Sequence, residues 1–166
     1  MPSVSFEERL QPSLFDRLLD DKPNEKNERR QERVIYSAQQ KASVIRDLEY
    51  LLNATAHWRV EALLGYDEVA QSTLNYGIID LIGVGVANVD VVLLQTSIRN
   101  AITVFEPRID SDTLQVRVLV DANKAHTCTI ALQIEATVWA HPMPLVLYLR
   151  TDLDLESGRC VIYDNE

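Results

Sequence analysis

A chain of 166 residues, 46% hydrophobic and 25% charged, suits one domain and excludes wholesale disorder. A chain of that size buries about 70% of the surface its unfolded form exposes. Twenty-five acidic against sixteen basic residues leave a net charge of −9, which repels phosphate backbones and argues against nucleic acid as a partner.

Cys128 and Cys160 stand far apart with no CxxC or Cys/His spacing, so no cofactor-binding or metal site and no disulfide framework is legible, and reduced thiols are expected. The opening MPSVSFEERLQPSLF lacks a basic stretch followed by an apolar core. No apolar run approaches the roughly 18 residues of a spanning helix, so a cytoplasmic protein without membrane insertion is expected.

Near the start, Ser13 can cap a short helix whose Leu14, Phe15, Leu18 and Leu19 share one face, to be laid in a partner's groove as a docking element or back onto its own domain. The following DDKPNEKNERRQER, 20–33, has no apolar residue besides Pro23 and reads as a linker. The expected division is a docking helix and charged linker over 1–33 and a folded domain over 34–166. From 38 to 54, Ala42, Ile45, Leu48, Leu51 and Leu52 recur at helical spacing, with Lys41, Arg46, Asp47 and Glu49 outside. Glycines at 65, 77, 83 and 85 then punctuate a stretch of loop and short helical turns.

Asn88 or Asp90 can cap a second long helix carrying Val91, Leu94, Ile98, Ile102 and Phe105. Pro107 bars its continuation and pushes Glu106 out of the α region. Beyond it the period becomes two. Leu114, Val116, Val118 and Val120 alternate with Gln115, Arg117 and Leu119; further strands are expected over 127–138, 145–149 and 160–163, with turns at 121–124 and 141–144. Helices first and antiparallel strands after predict an α+β fold with a sheet edge open to strand addition.

Several stretches carry a resemblance: Pro12 to Leu18, Ser43 to Asn53, Ser72 to Asp80, Ile98 to Ile102, and Leu147 to Asp154 with Ser157-Gly158. Most specific is Glu106-Pro107-Arg108 directly after a helix. In this order they are similar to the TssE family of type VI secretion baseplates, related to the wedge protein of contractile phage tails sometimes labelled a tail lysozyme. Ile79 stands where many members have proline, which touches loop geometry only. The resemblance implies a structural subunit joining TssF, TssG and TssK to the TssB/TssC sheath and seeding its assembly, at the cytoplasmic side of the inner membrane. The spike or tube base is a further contact it implies.

Pro107 holds Glu106 and Arg108 as an ordered charged pair, which the resemblance places at a partner interface beside Leu14, Phe15 and Leu18. Without the resemblance, an internal salt bridge fastening the helix exit to the sheet is the simpler reading. The lysozyme label asks for two flanking carboxylates. Glu106 is one candidate, and no spacing selects Glu135 or Asp80 as its partner. His57, His126 and His141 lack a nucleophile elbow such as G-x-S-x-G, and Gly83-Val84-Gly85 lacks the Lys-Ser/Thr of a phosphate loop. No enzymatic activity is expected; the alternative is a small regulatory adaptor binding one soluble protein.

Overall fold

The computed structural model describes residues 37–58, 60–119, 128–140 and 143–164. The helix expected around Leu14, Phe15 and Leu18, the charged linker, His126, His141, the turn at 121–124 and the start of that at 141–144 lie outside those residues.

Helix α1, Ser37–Leu52, follows the apolar recurrence of its sequence. Val44, Leu48, Leu51 and Leu52 form its inner face, each at most 2% exposed, while Ile45 is only partly buried. Ala42, expected on that face, is exposed. It lies two residues, about 200°, round the helix from Val44, so both cannot point inward. Past the helix end, the Asn53 side chain donates from Nδ2 to the Cys160 carbonyl at 3.0 Å and accepts the Cys160 N–H at 2.9 Å.

The stretch after α1 is a chain of short turns, as the glycines foretell. It holds 3₁₀ turns at Val60–Leu63, Thr73–Asn75 and Val86–Asn88 and a single helical turn, α2, at Asp67–Ala70. A short parallel bridge joins Thr55 to Ile78. Gly77 makes that approach feasible: its φ is +123°, and a Cβ there would lie 2.3 Å from the Ala54 carbonyl oxygen.

Helix α3, Val91–Phe105, starts at Asp90, whose carboxylate accepts the Leu93 N–H at 3.0 Å. It buries Leu94, Ile98, Ala101 and Ile102. It stops where expected, because Glu106 at φ −124°, ψ 76° has left the helical region ahead of Pro107.

Four strands follow: β1 Gln115–Leu119, β2 Thr129–Val138, β3 Leu145–Asp154 and β4 Cys160–Asp164. They pair antiparallel in the order β1-β2-β3-β4. Strand β3 runs five residues beyond the expected end at Leu149, because buried Thr151 interrupts the apolar series without breaking the alternation that Leu153 resumes. Ile130, Leu132, Ile134, Leu147 and Leu149 face α1 and α3 in one continuous core. The protein is therefore α+β, with the helices on one face of a meander.

Candidate functional site

The exit of α3 carries a dense network of polar contacts. Glu106 donates its N–H to the Ile102 carbonyl at 2.9 Å, closing the helix, and accepts the Ile109 N–H at 3.1 Å on its own carbonyl. Ile109 then bridges to Val138 of β2. The chain between helix and sheet is thus held at both ends, with Pro107 stiffening its middle.

Arg108 folds back over that corner. Its Nε donates to Glu106 Oε1 at 2.6 Å and its Nη2 to Glu106 Oε2 at 2.5 Å, the two-pronged geometry in which a guanidinium holds a carboxylate most firmly. Nη2 also reaches Asp47 Oδ2 on α1 at 2.5 Å, and Nη1 donates to Ser43 Oγ at 3.0 Å. Asp47 is held from its other side by Arg46, at 2.9 Å. Glu106 is only 4% exposed. Burial works against the charge of Arg108, but hydrogen bonds and charges from Glu106, then Asp47, outweigh it and keep its pKa above the ordinary arginine value.

Beside this network lies a cleft of about 550 Å³, lined by Asp47, Tyr50, Leu51, Tyr76, Phe105 and the Glu106–Arg108 corner. Tyr76 and Phe105 meet edge to face with ring centroids 5.1 Å apart. Burial, and then the negative charges of Asp47 and Glu106, push the Tyr76 phenol up from its usual pKa.

Of the residues singled out in the sequence, Glu106, Pro107 and Arg108 come together, while Leu14, Phe15 and Leu18 lie outside the described residues. An internal salt bridge is present, but it fastens the helix exit to α1 and not to the sheet, through Asp47 and Ser43, which sequence reasoning missed. Asp47 falls on the helix face read as outward, yet it is three-quarters buried by Arg108 and Arg46.

The carboxylates weighed for glycoside hydrolysis do not assemble. Glu106 has both oxygens on Arg108, Glu135 stands on the sheet face away from the helices, and Asp80 accepts the Ile82 N–H in a loop at 3.0 Å. Among the described residues no group of three or more His, Cys, Asp and Glu could hold a metal, and no helix is long and apolar enough to cross a membrane. Cys128 and Cys160 are both free thiols.

A family profile described as "Baseplate wedge protein gp25" matches residues 38–143, well over half of the chain. The chain belongs to that family. The match runs from α1 through the Glu106–Arg108 corner to residue 143, between β2 and β3. No curated protein and no solved structure matches the chain. Baseplate wedge gp25 proteins are structural, so the chain has a phage-tail-like baseplate role that implies contacts with other baseplate or tail proteins.

Proposed function

We propose that this gp25-family chain is the TssE-type subunit of a type VI secretion baseplate, joining TssF, TssG and TssK to the TssB/TssC sheath and seeding sheath assembly. The observation that carries this reading is the corner at the end of α3: a family-matched segment in which Glu106, Pro107 and Arg108 are locked to both α1 and the sheet. A corner fixed in the free subunit loses little entropy on docking.

Because Glu106 and Asp47 already occupy most donors of Arg108, the corner meets its partner less by open charge than by shape. Pro107 is exposed and the apolar cleft opens beside it. The segment around Leu14, Phe15 and Leu18, tethered through 20–33, serves as a second docking element within the 1–33 unit, apart from the 34–166 domain. Strand β1, at the sheet edge, is the place where a sheath segment adds. The location is the cytoplasmic side of the inner membrane.

The test is copurification of the tagged protein from its native host, wild type beside Pro107→Ala, with mass spectrometry of everything retained. Recovery of wedge and sheath proteins, reduced in the variant at unchanged thermal stability, supports the reading. Recovery of one unrelated soluble protein overturns it in favour of an adaptor.

A further inference from the structure

The sheet face turned away from the helices carries residues that the fold does not use. Register places Arg117, Gln133, Arg150 and Tyr163 in one row across all four strands, with no carboxylate in it. Beside that row Val146 and Tyr148 stand 54% and 51% exposed on β3, and Trp139, following β2 in the same alternation, is 66% exposed. Tyr163 is 48% exposed. Trp, Tyr and Arg are the residue types that dominate binding energy at protein interfaces, and none of these four apolar or aromatic side chains serves the core.

Two further features separate this face from ordinary surface. Trp139 has its backbone fixed on both sides: its N–H donates to the Arg108 carbonyl at 2.8 Å, and its carbonyl accepts the Gln40 amide at 2.7 Å. An exposed indole on an immobilised backbone loses little entropy when covered. The arginines, in turn, have no close carboxylate partner, although Arg117 Nη2 donates to Gln115 Oε1 at 2.6 Å. The nearest carboxylate to Arg117 is Glu135 at 3.9 Å, and to Arg150 it is Asp152 at 3.8 Å, both beyond hydrogen-bonding range and unlike the 2.5 Å contacts of Arg108. Their backbones stand two strands, roughly 10 Å, apart with Gln133 between them. A carboxylate placed over Gln133 lies between the two arginines, which reach it by turning their long side chains inward along the row.

We propose that this face is a second docking surface, taking a carboxylate-bearing, largely apolar segment of a neighbouring baseplate protein. The partner's apolar side chains cover Trp139, Val146 and Tyr148, and its carboxylate lies between Arg117 and Arg150. On a chain of net charge −9, a row of two arginines without an acid selects an acidic segment. This surface is distinct from the α3 corner and from the sheet edges, and the inference rests on the baseplate reading.

The test uses the full-length protein and a wedge complex reconstituted from its purified baseplate partners. Affinity is measured for wild type, for the double variant Arg117→Glu/Arg150→Glu, and for Thr96→Glu on the exposed face of α3. Wild-type protein carrying the photoreactive residue p-benzoylphenylalanine in place of Tyr148 is crosslinked in parallel, so the outcome does not depend on the double variant folding. The expected result is at least tenfold weaker binding of the double variant, no change for Thr96→Glu, and crosslinks from position 148 to an acidic segment of a wedge protein. Unchanged affinity with a silent probe overturns the inference and leaves the baseplate reading standing. Crosslinks to a second copy of this chain overturn it in favour of a sheet-to-sheet dimer. Failure of the wild type to bind the wedge overturns the baseplate reading itself, and this one with it.

Discussion

At the α3 exit one arginine satisfies two carboxylates and a hydroxyl, and its removal leaves Glu106 buried without a counter-charge. Arg108→Ala is therefore expected to destabilise the fold by about 3 to 5 kcal/mol, read from urea denaturation. Replacing Glu106 and Arg108 together by leucine should cost less than that single change, since no charge is then stranded; an equal or larger loss for the pair would show that the ion pair itself stabilises. Proximity of Glu106 to Arg108 is legible in two-residue spacing around a proline. The approach of Asp47 and Ser43, 61 and 65 residues from Arg108, is not, because nothing in local spacing fixes where α1 crosses the exit of α3.

The other informative residue is Cys160, buried at 1% exposure, where burial first, then the charges of Glu49 and Asp152, push its thiol up to about 12. The folded state then holds its proton where the unfolded state releases it, near the usual value of 9.0. Stability contributed by the neutral thiol is intact below about pH 9 and declines as pH rises from there towards 12. Cys160→Val should flatten that alkaline decline in a pH series of urea midpoints. Iodoacetamide at neutral pH should alkylate exposed Cys128 and spare Cys160, although the Cys128 thiol is itself raised by its hydrogen bond to Glu156 and reacts more slowly than a free cysteine.

At the scale of elements, start and stop signals were the reliable guides. Asp90 caps α3 and Pro107 ends it, as their chemistry requires. Asp90→Ala should cost about 1 kcal/mol, the usual value of an N-cap, measured by thermal melting. Gly77→Ala should cost more, because it combines a positive φ with a collision against the Ala54 carbonyl; a cost below that of the cap would mean the bridge at Thr55 and Ile78 relaxes cheaply. Side-chain polarity is a poor guide to position at two sites: polar Thr151 is buried on the sheet's inner face, and apolar Ala42 faces outward. Composition at one site does not set the phase of a whole element.

Taken whole, the molecule segregates helices from strands as their sequence periods do, and the α+β class was legible for that reason. Pairing of β1 with β2 and the crossing of helices over the sheet depend on long-range packing, which periodicity does not encode. The proposed docking surfaces are legible only in part. The Glu106–Arg108 corner stands out in sequence, whereas the outer face exists only once register aligns residues from four separate strands.

The side chain of Asn53 occupies both backbone groups of Cys160 at the start of β4, and Lys41 holds Asp164 at its far end at 2.7 Å. One border of the sheet is in this way guarded by α1 and its tail, while no strand among the described residues covers β1. Among the described residues the sheet thus has a plug on one side and an uncovered strand on the other, the asymmetry that strand addition at β1 alone, as proposed above, requires. Asn53→Ala should loosen that protection, raising concentration-dependent self-association in sedimentation above that of the wild type. Under the proposed seeding role, a starter with a single growing end also counts: each copy would license one row, and the number of rows would follow the number of starters.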